Sequence, residues 1–518
     1  MKTYTIRLLG TEGVPALVET NITPGIGIHL TGFPEQEQKE ALLRTLTGIQ
    51  ACGWCCPGKK IVINYSDDGD PNAVLASADL PLALSILAAS GQADIDPEGW
   101  MLLGQVWLDG TIHPVPGYIQ AVEAAVTLGC KGVIIPDAGL DEIASVFTKP
   151  MFGIRIHAAR TLRDAVDILS GKPFPDVRDL PGVPAEETHP VPGTWDIIHG
   201  NEGVKRALEI AAAGGHHVIL AGPPSPERRL FAKALLDILP PMTWRERLER
   251  ARARSVQMSV WTVPAGYRSL RAPHHSCATY ALLGGGPANL ILPGEVTLAS
   301  GGVLLLDEVP VWPKALMEGL RPPLEDRTAY VVRRTHHIKM PADFQLVATT
   351  SPCPCGHYGQ GNDCKCTPAQ RRAYLSRIYG PLYDHIDVQA WVTAQAAGTT
   401  GQEIQSEPAA AVAARVQKAR EMQMQRQGKL NGSLNRFDLS YNIMLHQDTK
   451  KMIETLIERL GLSVRSYSKI IKIAKTIADL EGCEDIAPHH AVEAASLRFM
   501  DRLASEFRNE NHSIAANG

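Results

Sequence analysis

Residues 218–229 read VILAGPPSPERR, an apolar strand that ends in a tight turn and continues into a helix-like stretch. A phosphate-binding loop of the form G-x-x-x-x-G-K-[ST] occupies this place between a strand and a helix. In such a loop, glycines let backbone N–H groups wrap the phosphates, the lysine neutralises them, and the hydroxyl binds magnesium. The stretch therefore predicts the strand–turn–helix unit of a nucleotide-binding fold, although Gly222 is the one motif residue that it keeps.

The other loop positions change the charge of the loop and its capacity to donate hydrogen bonds. Glu227 stands at the second glycine, and Pro226 has no backbone N–H to donate. Arg228 and Arg229 replace the lysine and the hydroxyl, and a planar guanidinium is not equivalent to an ammonium group. Taken alone, this loop is also compatible with an ordinary strand–helix turn.

A second apolar strand, GGVLLLDEVP at residues 301–310, ends in Asp307 and Glu308. An acidic pair at such a strand end serves nucleotide hydrolysis, because the aspartate holds magnesium through water and the glutamate polarises the attacking water. Since it lies downstream of a strand–GPP–helix unit, the pair strengthens the prediction of a nucleotide site.

The length of 518 residues suggests about three domains. A composition that is 44% apolar and 20% charged is typical of a globular protein, and a net charge of -4 offers no overall attraction to nucleic acid. The N-terminus has no apolar core after its basic start, and no apolar stretch approaches the ~18 residues of a membrane span. These features predict a cytoplasmic protein without a membrane anchor, whose cysteines are metal ligands or buried thiols.

The chain divides into four segments by composition. Residues 1–170 mix strand-like and helix-like runs, and the proline-rich residues 171–192 predict an extended linker. Residues 193–396 alternate helices with strands that are apolar enough for a parallel sheet covered on both faces, and residues 397–518 read as helices. The predicted strands are 3–9, 59–65, 131–136, 217–222, 301–308 and 344–350, and the predicted helices are 79–90, 118–129, 201–215, 230–239, 449–461, 465–482 and 488–503.

Six motifs are spread along the chain. They are IIHGNEGVKRALEIAAAGGHHVILAGPP (197–224), RAPHHSCATYALLGGG (271–286), LPGEVTLASGGVLLLDEVP (292–310), LRPPLEDR (320–327), SPCPCGHYGQGNDCKCTPAQRRAYLSRIYGPLYDHID (351–387) and SVRSYSKIIKIAKTIADLEG (463–482). Together, in this order, they resemble the Mg-chelatase-like AAA+ family, of the ComM/YifB type, over nearly the whole chain.

The resemblance implies a multidomain α/β fold. Its parts would be an α+β N-terminal domain like that of Lon protease (ribosomal S5 domain 2-like), an AAA+ P-loop-type α/β core, and a C-terminal helical lid. The resemblance further implies ATP and Mg²⁺ as cofactors, assembly into a ring, expected as a hexamer, and a role in DNA branch migration during natural transformation.

The sequence departs from the family pattern where nucleotide contacts are expected. The family loop resembles GPPGTGKT, Ser351 replaces an asparagine that senses the terminal phosphate, and His385 replaces a candidate arginine finger. The resemblance carries cofactor-binding roles to Gly222, Pro223, Pro224, Arg228, Arg229, Asp307 and Ser351, and catalytic roles to Glu308, Arg377 and Arg465. Losses at nucleotide contacts, with the fold motifs kept, favour a pseudo-ATPase.

Three hypotheses stay open. The first is a ring-forming AAA+ scaffold with a damaged ATP site, which acts on DNA or assembles with an intact paralogue in a mixed ring. The second is an active ATPase, a branch-migration helicase that uses Arg228 or Arg229 in place of the lysine. The third is a metal-stabilised binding module that takes no nucleotide.

Four cysteines, Cys353, Cys355, Cys364 and Cys366, form a C-x-C-x8-C-x-C pattern. Four thiolates on two short arms can close a tetrahedral site for a structural zinc ion, which predicts a metal loop over residues 353–366. The alternative is a surface loop with free thiols.

Three other features are expected to be structural. Lon-type proteolysis needs a Ser–Lys pair, and Ser77 is the nearest serine but has no matching lysine. Cys52, Cys55 and Cys56 have no fourth ligand nearby, which favours buried or incidental thiols. The arginine-rich residues 244–254 predict a solvated helix with internal ion pairs, and their surplus positive charge makes the helix a candidate phosphate-contacting face.

Overall fold

The chain folds into two large sheets, each covered by helices, and a C-terminal group of helices. The computed structural model describes residues 1–32, 35–55, 58–66, 74–75, 78–147, 153–175, 193–257, 267–286, 291–333, 336–358, 364–378, 382–393, 407–462 and 464–501. Among the helices in these ranges, none combines the length and the apolar character needed to cross a bilayer.

The N-terminal part is built on a mixed eight-stranded sheet with the order β10-β9-β6-β1-β2-β4-β3, in which β5 also pairs with β1. Its elements are β1 Lys2–Leu9, β2 Glu12–Thr23, β3 Gly27–Thr31, α1 Glu35–Ala51, β4 Lys60–Ser66, β5 Val74–Leu75, α2 Asp79–Ser90, β6 Trp100–Leu102, β7 Gln105–Val106, β8 Ile112–His113, α3 Tyr118–Leu128, β9 Gly132–Pro136, α4 Leu140–Val146, β10 Arg155–Ala159 and α5 Leu162–Leu169. Strands β10, β9, β6 and β1 run parallel, whereas β2 is antiparallel to both β1 and β4. Both faces are buried, since Ile6 packs in one apolar cluster and Val18 in another.

The central part is an α/β layer structure. Its elements are α6 Thr194–Ile197, α7 Glu202–Gly214, β11 Val218–Ala221, α8 Glu227–Ile238, α9 Trp244–Gln257, β12 Leu270–Arg271, α10 Thr279–Leu283, α11 Glu295–Leu298, β13 Val303–Leu306, α12 Lys314–Gly319, α13 Arg321–Asp326, β14 Thr328–Arg333, β15 His336–Pro341, β16 Gln345–Thr350, α14 Pro368–Leu375 and β17 Val388–Trp391. Five strands pair in the order β12-β13-β16-β11-β17, and every pair is parallel. Every residue of β11, β13 and β16 is buried, which confirms the predicted parallel sheet with two covered faces.

The C-terminal part consists of helices α15 Ala409–Gln427, α16 Arg436–Asn442, α17 Gln447–Leu460, α18 Val464–Glu481 and α19 Pro488–Ser496. Helix α18 buries Ile470, Ile473 and Ile477 in the same apolar cluster as Leu208 of α7 and Leu235 of α8. These helices therefore cover the face of the parallel sheet on which α7 and α8 lie.

Helix α9 joins the two sheets and corrects one prediction. Leu248, Ala251 and Val256 are buried in the cluster that covers the N-terminal sheet. On the same side, the guanidinium of Arg252 forms an ion pair with Glu123 of α3, with an Nε–Oε2 distance of 2.8 Å. The prediction of a solvated helix is wrong for this face. Its small and apolar residues pack against the helices that cover the N-terminal sheet, which are remote from α9 in sequence.

Each predicted strand and helix is present, with bounds that differ by a few residues; the predicted strand 301–308 is shortened to β13 Val303–Leu306, and the predicted helix 488–503 ends at Ser496. Helix α7 ends at Gly214, and Gly215 follows in the left-handed conformation with φ +66°, as the predicted glycine stop requires. The antiparallel pair β14–β15 was not predicted. Residues 176–192, most of the predicted linker, lie outside the described residues, as do Cys56 and Ser77.

Candidate nucleotide site

The predicted site residues meet at the carboxyl edge of the parallel sheet. The loop that follows β11, the acidic pair that follows β13, and Ser351, which follows β16, come from three strands that are neighbours in the sheet. In parallel α/β sheets, ligands bind in the crevice outside the carboxyl ends of the strands. The topology therefore places the loop and the acidic pair where nucleotide chemistry would need them.

The loop at residues 222–226 is tight at its start and poor in donors. Gly222 is buried, and a Cβ at this position would lie 2.3 Å from the carbonyl oxygen of Val392, so no other residue fits without displacing backbone. Helix α8 follows with Pro226 before its first residue. The prolines at 223, 224 and 226 supply no N–H groups, which leaves few backbone donors for a phosphate.

Glu227 brings a carboxyl group to the place where the family pattern has a glycine. Its Oε2 atom is buried and has no hydrogen-bond partner among the residues that the structure describes. Burial raises the pKa of Glu227 above its usual value. When ionised, a carboxyl group at the start of this helix would add negative charge beside any anionic ligand of the loop.

Arg228 turns inward and pairs with Glu308. Its side chain is 4% exposed, its Nη2 donates to Glu308 Oε1, and its Nη1 lies 3.4 Å from the carbonyl oxygen of Gly222 and 3.5 Å from Ser351 Oγ. The Nε atom is buried without a hydrogen-bond partner in the described part of the chain. The cation that replaces the loop lysine thus contacts the carboxylate that would activate water.

Arg229 pairs with the other carboxylate, although its side chain is 67% exposed. Its Nε donates to Asp307 Oδ2 at 2.6 Å, and Thr349 Oγ1 donates to Asp307 Oδ1 at 2.6 Å. Both oxygens of the predicted magnesium ligand are therefore engaged by protein donors.

Glu308 is held by more donors than Arg228 alone. Ser351 Oγ lies 3.0 Å from its Oε1 and 3.1 Å from its Oε2, and the hydroxyl of Tyr374 lies 3.4 Å from Oε2. Burial and the neighbouring Glu308 raise the pKa of Tyr374 to about 12, so the phenol keeps its proton. A carboxylate with this many donors has little remaining capacity to polarise a water molecule.

The contacts described for Arg377 and His385 do not include these ion pairs. Arg377 is exposed, and its Nη1 donates to the carbonyl oxygen of Pro310 at 3.2 Å. The Nε2 atom of His385, at the finger position, lies 3.6 Å from Glu325 Oε1, and burial lowers the pKa of this histidine. Arg465 falls in the first turn of α18, but its side chain lies outside the described residues.

Sequence reasoning missed two residues of this site. Thr349 bonds both Asp307 and the backbone N–H of Glu308, the latter at 2.9 Å. A polar residue at the end of the apolar strand β16 was the available signal. Tyr374 lies on α14. Its position in the sequence follows no motif spacing with the loop or the acidic pair, so the sequence alone could not identify it as a site residue.

The four predicted metal ligands also come together in this region. The sulfur atoms of Cys353, Cys355, Cys364 and Cys366 all lie within 4.8 Å of one another, a grouping that can hold a metal ion. In the N-terminal part, Cys52 is buried and Cys55 is exposed, as expected of thiols without a shared ligand.

Comparisons with known proteins agree with this architecture. Three family models match: "Magnesium chelatase, subunit ChlI" over residues 195–400, its C-terminal part over residues 406–498, and "Subunit ChlI of Mg-chelatase" over residues 18–139. An uncharacterized protein, YifB of Salmonella typhimurium, is 35% identical over 507 residues, which are 96% of this chain and 97% of its own. The competence protein ComM of Haemophilus influenzae is 34% identical over 514 residues, which are 98% of this chain and 99% of its own.

Proposed function

Because the chain belongs to the Mg-chelatase-like family that includes ComM and YifB, we propose that it is an AAA+ scaffold whose nucleotide site is closed by its own arginines. The proposal rests on two ion pairs, one between Arg228 and Glu308 and one between Arg229 and Asp307. These carboxylates are the groups that a hydrolytic site would use for water and magnesium. Two cations and two anions neutralise one another, so the site needs no ligand to satisfy its charges.

Mg-ATP would have to compete with these contacts. Magnesium would displace Arg229 from Asp307, and a terminal phosphate would meet a loop whose three prolines donate no N–H groups. Arg228 is directed toward Glu308, and its large planar head cannot take the place of a compact ammonium group at a phosphate. The lost ion pair, the missing N–H donors and the unsuitable guanidinium together oppose tight binding of Mg-ATP.

The remaining parts of the chain would serve assembly. We assign residues 1–170 as a Lon-like (ribosomal S5 domain 2-like) domain without a catalytic dyad, residues 171–192 as linker, residues 193–396 as AAA+ core and residues 397–518 as helical lid. Helices α15–α19, which cover the face of the core sheet that carries α7 and α8, support the lid assignment.

The proposed assembly is a ring, a homohexamer or a mixed ring with an intact paralogue. One relative is named a competence protein, and on that likeness we propose that the ring processes DNA in the cytoplasm. The net charge of -4 offers no general attraction to DNA. Binding would therefore depend on local basic surface and would weaken steeply with salt.

Equilibrium binding of a fluorescent ATP analogue, with and without Mg²⁺, tests the proposal on the purified full-length chain. We expect no saturable magnesium-dependent binding, and no phosphate release above that of a Glu308→Gln variant. Saturable magnesium-dependent binding at micromolar nucleotide would contradict the closed site.

A restored loop provides the matched comparison. Five changes convert the loop to the family pattern: Ser225→Gly, Pro226→Thr, Glu227→Gly, Arg228→Lys and Arg229→Thr. This variant should gain magnesium-dependent ATP binding, and the added change Asp307→Asn should weaken that gain. If the restored loop binds no better than the wild type, residues outside the loop abolish binding and the arginine pairs are not the cause.

An active ATPase is the second candidate, because Asp307 and Glu308 both remain at the strand end beside Thr349. In that case Arg228 or Arg229 would leave its carboxylate when ATP arrives. Turnover by the wild type that is lost in Glu308→Gln would establish this activity and reject the scaffold.

A further inference from the structure

The four clustered cysteines have the spacing of metal ligands. Cys353 Sγ lies 3.3 Å from Cys355 Sγ, and Cys364 Sγ lies 3.7 Å from each of them. A disulfide brings two sulfurs to about 2.05 Å. Zinc–sulfur bonds of about 2.3 Å at tetrahedral angles place sulfurs about 3.8 Å apart. The observed separations are close to the second arrangement.

The cluster is partly shielded from solvent. Cys353 is fully buried, and the other three cysteines are half-buried. Such shielding limits the access of water to a bound ion.

The two arms of the cluster are attached to the candidate nucleotide site. Cys353 lies two residues after Ser351, whose hydroxyl bonds Glu308. Cys366 lies just before α14, which carries Tyr374, another partner of Glu308. An ion that joins the arms would therefore fix the spacing between two donors to one carboxylate.

The cluster also touches the loop after β11. Gly356 has φ +82°, and a Cβ at this position would lie 2.4 Å from Pro224 Cδ. Only glycine combines this backbone conformation with so close an approach. The first cysteine arm is thus packed directly against the middle of the loop.

We propose that Cys353, Cys355, Cys364 and Cys366 bind one zinc ion as a closed tetrathiolate site, and that this ion holds the loop at Pro224 in its closed arrangement. The ion is structural, because four thiolates leave no coordination position open for a substrate. The zinc site stands whether or not the protein turns over ATP, whereas the closed arrangement of the loop rests on the proposed function.

Metal analysis of the full-length chain tests the site. We expect about one zinc ion per wild-type chain and none in Cys364→Ser. Cys483→Ser is the matched control, because Cys483 lies in another group that could hold a metal, with Glu481 and His490. Equal zinc in wild type and Cys364→Ser, or loss of zinc in Cys483→Ser, would overturn the assignment.

A cobalt-substituted wild-type chain tests the ligand set without a mutation, should Cys364→Ser fail to fold. Co²⁺ in the site should show intense visible bands of a tetrahedral thiolate complex and sulfur-to-metal charge transfer in the near ultraviolet. A weak spectrum of octahedral type would reject four-thiolate ligation.

Hydrogen exchange tests the link to the loop. Removal of zinc by a chelator should raise exchange several-fold in peptides that cover residues 222–230, while peptides from β2 stay unchanged. Unchanged exchange at residues 222–230 would overturn the link between the ion and the loop.

Discussion

At the scale of residues, Glu308 shows how the site is closed. Its backbone has φ +51°, in the left-handed region that costs a non-glycine residue about 1–2 kcal/mol. The backbone N–H bonds Thr349, and the carboxylate accepts bonds from Arg228, Ser351 and Tyr374. The contacts around Glu308 therefore hold a conformation that is unfavourable on its own.

Replacing each arginine by methionine should distinguish the contribution of a buried ion pair to stability from that of an exposed ion pair. Arg228→Met leaves Glu308 without its cation in a largely closed environment, so we expect a loss of about 2–4 kcal/mol in the free energy of unfolding. Arg229→Met removes an exposed pair, so we expect a loss below about 1 kcal/mol. Denaturant titration of the two variants measures both values.

Raising the salt concentration provides the control, because screening weakens the exposed pair more than the buried one. Equal losses for the two variants, or a larger loss for Arg229→Met, would contradict the described geometry.

At the scale of elements, the sequence predicted the parallel sheet because β11, β13 and β16 are apolar throughout. It also predicted that the loop and the acidic pair lie together, since they follow strands of one sheet. The direct ion pair between Arg228 and Glu308 was not predictable. In the family motif, the basic residue of the loop and the acidic residue after the second strand are expected to contact a bound nucleotide and not each other. The packing of α9 was missed as well, since its partner surface on the N-terminal sheet and its helices lies far from α9 in sequence.

Truncation of Leu248 tests the packing of α9 against the N-terminal sheet. Leu248 is buried in the shared cluster, so Leu248→Ala should lower the free energy of unfolding by about 2–4 kcal/mol through lost burial and a cavity. Thermal and denaturant unfolding measure the loss.

Leu43→Ala is the matched control, because Leu43 is an exposed leucine on α1 and should change stability by less than about 0.5 kcal/mol. Similar effects of the two substitutions would mean that α9 does not pack on the sheet as described.

At the scale of the whole molecule, the two sheets and the C-terminal helices are connected by buried contacts. The cluster on the N-terminal sheet includes residues of α9, and the cluster on the parallel sheet includes α15–α19. Among the described residues, neither cluster includes a side chain of the loop at 222–226, of the acidic pair or of Ser351. The overall architecture should therefore form without a nucleotide.

Because the proposed nucleotide site is closed to Mg-ATP, assembly of the chains should not depend on this nucleotide. We expect analytical ultracentrifugation to give the same oligomeric mass with and without Mg-ATP, whereas the restored-loop variant should respond to the nucleotide. A wild-type ring that forms with Mg-ATP and falls apart without it would contradict a closed site.

The mutual neutralisation of Arg228 and Arg229 with Glu308 and Asp307 also bears on how this protein can evolve. A return of Arg228 to the lysine of the family pattern would keep a cation beside Glu308, whereas a return of Arg229 to threonine would leave Asp307 without its cation. Because the second ion pair is exposed, that step should cost less than about 1 kcal/mol in the free energy of unfolding. Each position can therefore change on its own, and a relative that carries only one of the two arginines should still fold stably.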